Sequence, residues 1–181
     1  MNNLISKEIK YEGIRFKVIQ KIYERADGKK YVRDCVEPGD AVIILAVDKN
    51  ENIIFIKQYR EVVENLELQL PAGIIEKGES PKETAIRELE EETGLKAKSI
   101  EYLTSCYPSM GYTREKIYIY VAKDLEMGKQ HLDETEEILS VEKIPVEECM
   151  KLLLDDKIND ATVYVAVQTY YYKYYNGGKN G

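Results

Sequence analysis

GIIEKGESPKETAIRELEEETGL, residues 73–95, is the stretch from which the rest of the chain is read. Gly73 opens a short loop that holds a second glycine, Gly78, and Ser80-Pro81-Lys82-Glu83 then spells a helix start. Ser80 suits an N-cap, Pro81 the first helical position, and Glu83 completes a capping box. Gly94 ends the helix where a left-handed residue is wanted. Between these signals Ala85, Ile86, Leu89 and Thr93 recur at helical spacing and are expected to face a core. Glu88, Glu91 and Glu92, at i, i+3 and i+4, project together from another face.

Like charges on adjacent turns repel by roughly a few tenths of a kcal/mol per pair even in water. A solvated face would intersperse lysines there, whereas this one has only Arg87 nearby. A divalent cation resolves the conflict. Oxygen donors without His or Cys select magnesium, manganese or calcium over zinc. Taken alone, three glutamates are more simply an acidic surface helix. The whole stretch overrides that reading.

The stretch resembles the Nudix hydrolase signature: G, five residues, E, seven residues, then R-E-U-x-E-E-x-G-U, with U apolar. Gly73, Glu79, Arg87, Glu88, Glu91, Glu92 and Gly94 fill the fixed positions, and Leu89 and Leu95 the apolar ones. From average residue usage, such a match arises by chance with odds on the order of 10⁻⁷ per chain.

Composition narrows the rest. With 181 residues the chain suits one domain with a small appendage, and 44% hydrophobic with 33% charged residues is ordinary for a globular protein. A net charge of −7 argues against non-specific binding to nucleic acid or anionic membrane. No apolar run is long enough to span a bilayer, and MNNLISKEIK lacks a signal-peptide core. Cys35, Cys106 and Cys149 are far apart with no CxxC pair, so neither disulfides nor a zinc site is expected and the cytoplasm is the expected compartment.

Before the signature, residues 7–36 read as two or three strands around the turn Ala26-Asp27-Gly28, and Glu37-Pro38-Gly39-Asp40 breaks the pattern. We therefore expect an N-terminal β segment, residues 1–38, and a main domain, residues 39–181. AVIILAV, residues 41–47, is a continuous apolar run of the kind found in a sheet covered on both faces. Further strands are expected at 53–59, 66–70, 99–106, 117–121 and 138–144, with an acidic loop over 124–137. Helices are expected at 146–155 and 159–175, the latter carrying tyrosines (YYYKYY) that suit core and interface. Strands interrupted by spaced helices suggest an α/β arrangement, a mixed sheet between helices, plus the N-terminal antiparallel β segment. The resemblance implies the same α/β/α sandwich.

The resemblance extends toward the ADP-ribose pyrophosphatase branch. Gln58-Tyr59-Arg60 is similar to the Q-x-R before the signature there, and Leu70-Pro71-Ala72-Gly73 to its L-P-A-G. Tyr107-Pro108-Ser109, Glu134-Thr135-Glu136-Glu137 and Ile158-Asn159-Asp160-Ala161 also sit where that branch has similar runs. Two departures stand out: Gln69 where the branch usually has Glu, and Ser109-Met110-Gly111 where it has S-P-G.

On this resemblance the chain is a hydrolase cleaving ADP-ribose to AMP and ribose 5-phosphate, with Mg²⁺ as cofactor and Mn²⁺ able to substitute. The alternatives are another nucleoside diphosphate sugar or dinucleotide as substrate, or a non-catalytic ADP-ribose-sensing module. The implied metal ligands are the Ala72 carbonyl, Glu88, Glu91, Glu92 and Glu136. Glu134, Glu91 and Arg87 form the catalytic machinery, with Glu134 as base and Glu136 its rival in the same loop. Gly73, Glu79 and Gly94 hold the motif together, and Arg87 is expected to tie Glu79 to the helix. Arg60, otherwise a plain strand-end arginine, suits a diphosphate because its guanidinium binds one bidentately. His131 is expected to be an exposed side chain. A small-molecule partner, no nucleic acid, no membrane and a homodimer complete the expectation. The resemblance implies that dimers of the branch exchange the N-terminal segment, which would bring Tyr11 or Phe16 of one chain to the other's nucleotide.

Overall fold

A computed structural model describes residues 2–132 and 137–176. The chain divides into two units: the residues up to Asp40 together with Tyr107–Lys116, and Ala41–Cys106 together with the chain from Ile117 onward. In the first unit, β1 (Asn3–Glu12), β2 (Lys17–Glu24) and β3 (Lys30–Glu37) form an antiparallel sheet in the order β1-β2-β3. The loop Tyr107–Lys116 joins this unit through Val36 N–H, which donates to Tyr112 O at 2.8 Å.

The second unit holds two sheets. β7 (Ala72–Ile74), β4 (Ala41–Ala46), β9 (Ile117–Met127) and β8 (Leu95–Cys106) make a mixed sheet in that order, with β4 and β9 parallel. β10 (Ile138–Pro145), β5 (Asn52–Arg60) and β6 (Asn65–Gln69) make an antiparallel one. The apolar run in β4 follows from what covers it. Val42, Ile44 and Ala46 face the cluster containing Ala85 and Leu89 of helix α1 (Pro81–Thr93). Ile43, Leu45 and Val47 face the cluster containing Cys149 and Leu153 of α2 (Val146–Leu154) and Val163, Ala166 and Val167 of α3 (Ala161–Tyr170). With both faces dry, alternation disappears. Each fully buried Leu or Ile there contributes roughly 1.5–3 kcal/mol.

Helix α1 has the ends its sequence predicts. Ser80 Oγ accepts from Glu83 N–H while the Glu83 carboxylate accepts from Ser80 N–H, and Gly94 caps the far end at φ 69°. Ile86 is the exception to the expected apolar face: it is 49% exposed, because Ala85 and Leu89 alone reach the sheet. Two boundaries also differ. β8 begins at Leu95, directly after the helix cap, and β9 runs to Met127, taking in residues expected in the acidic loop. Leu95 pairs with Met127 and Lys96 with Glu126, so the polar ends of both strands are held by each other. The final helix starts at Ala161 behind an Asp160 N-cap and ends as a π-turn over Tyr171–Tyr175. Tyr170 is fully buried and Tyr171, Tyr174 and Tyr175 pack against the core, whereas Tyr172 is exposed. No helix among the described residues is long and apolar enough to cross a membrane.

Candidate active site

The signature's carboxylates gather where α1 crosses β7 and the loop after it. Glu92 is 2% exposed and its Oε2 accepts from Ala72 N–H at 2.8 Å. Glu88 is 7% exposed and its side chain lies so close to Gly73 that a Cβ there would overlap the carboxylate. Gly73 is therefore glycine because of a side chain fifteen residues on, since its φ needs no glycine. Glu91, on the same side of the helix, is half-buried.

Arg87 organises these acids. Its Nε and Nη2 fork onto Glu79 Oε1 and Oε2 at 2.9 and 3.1 Å, and its Nη1 reaches Glu88 Oε1 at 2.7 Å and Glu91 Oε2 at 2.8 Å. Thr84 Oγ1 also donates to Glu79 Oε2, at 2.8 Å. The Arg87 bonds, then Thr84, hold the Glu79 carboxyl down to about 2, and the Glu79 bond chiefly raises the guanidinium of Arg87. Loop and helix are tied at every physiological pH. The pair Arg87–Glu79 thus spans the loop that Gly78 turns at φ 99°.

The last carbonyls of α1 are satisfied from outside the helix. Gly94 N–H donates to Glu90 O, His131 N–H to Glu91 O at 3.0 Å, and Gln130 Nε2 to Glu92 O at 2.7 Å. Residues 128–131 therefore pack on the end of α1 that carries Glu91 and Glu92, an anchoring that side-chain pattern does not announce. His131 itself has an exposed side chain. Glu134 and Glu136 lie outside the described residues.

Arg60 ends β5 half-buried, and its Nε donates to Gln69 Oε1 at 2.6 Å. Gln69 passes the contact to Asp160, a link that neither residue's sequence position suggested. Gln58 is buried on the same strand, and among the described residues its Oε1 meets no donor. A buried acceptor of that kind costs about 1–3 kcal/mol until water or a ligand supplies one. Tyr107 and Met110 are exposed, in the unit formed with the N-terminal sheet.

Among the described residues no three His, Cys, Asp or Glu side chains stand together as a metal cage, since Arg87 draws Glu88 and Glu91 to itself and Ala72 N–H holds Glu92. The donor chemistry nevertheless fits a hard divalent cation. Every candidate is a carboxylate or carbonyl oxygen, two of the carboxylates are buried, and the absence of a side chain at Gly73 gives the Glu88 carboxylate its place.

Comparison with known proteins agrees with this geometry. Residues 37–166 match the NUDIX domain. An ADP-ribose pyrophosphatase of Bacillus subtilis is 36% identical over 91% of this chain and 89% of its own. A methanol dehydrogenase activator of Bacillus methanolicus is 35% identical over 80% and 79%. The crystal structure of an ADP compounds hydrolase superposes with a TM-score of 0.85 at 27% identity, covering 98% of this chain and 96% of that one. The chain belongs to the Nudix family of hydrolases. The mixed α and β architecture expected from the sequence is the fold of that family.

Proposed function

We propose that the chain hydrolyses ADP-ribose to AMP and ribose 5-phosphate in the presence of Mg²⁺. The observation that carries the reading is the oxygen-only donor set along one helix, Glu88 against Gly73, Glu92 against Ala72 and Glu91 a turn from Glu88, in a chain whose relatives at 36% identity include an ADP-ribose pyrophosphatase. Glu88, Glu91, Glu92, the Ala72 carbonyl and Glu136 would hold the metal. A divalent cation held there would supply charge neutralisation of the diphosphate and acidify water. Glu134 takes the proton of the attacking water, whose oxygen bonds to phosphorus as the anhydride P–O bond breaks toward the leaving phosphate. Arg60 binds the diphosphate. Arg87 holds Glu79, Glu88 and Glu91 in place. A second reading, another ADP-linked compound as substrate, draws on the neighbour solved as an ADP compounds hydrolase and on Gln69 and Met110. A hydrolysis screen over ADP-ribose, other nucleoside diphosphate sugars and dinucleoside polyphosphates tests the choice. ADP-ribose is expected to lead, and a rank well below another substrate would transfer the assignment.

The base is tested separately. Glu134→Gln is expected to lower kcat strongly with KM much less affected, as for a group acting mainly in the transition state. If Glu136→Gln shows that pattern and Glu134→Gln is mild, the two residues exchange roles.

We also propose a homodimer built through the N-terminal segment, residues 1–38, acting in the cytoplasm, where three free cysteines are unremarkable. All ten residues of β1 are exposed, Leu4, Ile5, Ile9 and Tyr11 among them, which is an uncovered apolar strand that a second copy suits. Light scattering should return about twice the 20.9 kDa chain mass, and removing residues 1–36 should abolish both dimer and activity. A fully active monomer at micromolar concentration would end the idea.

A further inference from the structure

Three residues far apart in sequence meet in one line of hydrogen bonds. Arg60 Nε donates to Gln69 Oε1 at 2.6 Å, and Gln69 Nε2 donates to Asp160 Oδ2 at 2.9 Å. Asp160 is fixed in turn as the N-cap of α3, its Oδ1 accepting from Thr162 N–H at 2.8 Å and from Thr162 Oγ1 at 2.6 Å. Register explains how Arg60 reaches Gln69. Arg60 pairs with Asn65, Gln58 with Glu67 and Ile56 with Gln69, so these side chains share one face of the sheet and Arg60 leans back along it.

The chemistry of the bridge is specific. Only one orientation of the amide satisfies both neighbours, because the guanidinium offers only donors and the carboxylate only acceptors. A glutamate at position 69 would do neither job in the same way. Ionised, it would pair with Arg60 and share its positive charge, while facing the Asp160 oxygen with no proton between them. The amide grips Arg60 through Nε alone and brings no charge. Its contact takes the side-on edge at Nε and leaves out the two Nη groups, the end-on edge through which a guanidinium can still fork onto a phosphate.

We propose that Gln69 is a positioning residue that aims Arg60 at the substrate's diphosphate while leaving the arginine's charge unneutralised, with Asp160 setting the orientation of the amide. This rests on the reading above that Arg60 binds the diphosphate. The residue that departs from the family pattern and the otherwise unassigned Asp160 thereby acquire one shared task. The diphosphate of a free substrate meets an arginine held in place by a neutral amide oxygen, with no countercharge from residue 69 on its guanidinium, an arrangement that a carboxylate support would not give.

The test compares R60Q, Q69E and the double variant Q69E/D160N with the wild-type full chain, using ADP-ribose with Mg²⁺ and a thermal melt of each. R60Q is expected to raise KM about tenfold or more, as for a lost bidentate contact. Q69E is expected to raise KM about fivefold with kcat within about twofold, the split of weakened binding without damaged chemistry. D160N gives the introduced carboxyl a donor and keeps a good N-cap, so the double variant should melt like wild type and still show the raised KM. It also carries the charge comparison if Q69E alone melts below assay temperature. A wild-type KM in Q69E, or one restored by adding D160N, would overturn the proposal by making the bridge merely structural. If R60Q itself leaves KM unchanged, it is the role given to Arg60 that fails.

Discussion

Glu92→Gln will give a folded protein whose turnover has fallen by about two to three orders of magnitude. The fold survives because the amide keeps an oxygen for Ala72 N–H, which now donates to Glu92 Oε2 at 2.8 Å, and because the side chain changes neither length nor volume. Removing a buried negative charge from beside Glu88 even relieves repulsion in the metal-free protein. The chemistry suffers for the same reason. Charge neutralisation by a divalent ion supplies several kcal/mol of transition-state stabilisation, and each 1.36 kcal/mol is about tenfold in rate. A neutral ligand holds the cation less tightly, so part of the loss should return at high Mg²⁺ and the remainder should not. Steady-state turnover across a Mg²⁺ titration, with a thermal melt as control, reads all three effects. Turnover near wild type would remove Glu92 from the metal site.

How much of this was legible beforehand depends on the range of the causes. Helix α1 was readable to the residue because its determinants are local: a capping box, a proline and a left-handed glycine within one stretch. β4 was readable because coverage on both faces leaves an unbroken apolar run. The ends of β8 and β9 were not, since Lys96, Lys123 and Glu126 carry no strand pattern and take their place from pairing across the sheet and from side-chain contacts with residues distant in sequence or on the partner strand. Ile86 misled because helical spacing shows which residues share a stripe and not how wide the contact is. In the site, the residue types and spacing pointed to the carboxylates. The supports were silent: residues 128–131 act through backbone N–H groups and a glutamine amide, and Gln69 reads in sequence as a mere departure from a pattern until Asp160 is seen beside it.

Two glycines of the same loop separate support from strain, and they yield the other large effect. Gly78 has φ 99° with open space where a Cβ would stand, so Gly78→Ala meets backbone strain and nothing else. It should lose roughly 1–3 kcal/mol of stability and keep its turnover. Gly73 is the reverse case. Its backbone accepts alanine, yet the new Cβ would intrude on Glu88 Oε1 and Cδ and stand 2.6 Å from Cγ. The obstacle is the far end of a flexible side chain, so the protein can fold by swinging Glu88 aside, at a cost of about 1–3 kcal/mol. That swing is what destroys function. The carboxylate must move by more than an ångström and leaves the Nη1 of Arg87, which it meets at 2.7 Å. A displacement of about 1 Å in catalytic machinery costs on the order of 10²-fold, and a displaced charged ligand costs more. Gly73→Ala is therefore expected to melt close to Gly78→Ala while turning over at least about a hundredfold more slowly. Equal turnover in the two variants would show that the contact between Gly73 and Glu88 has no part in the chemistry.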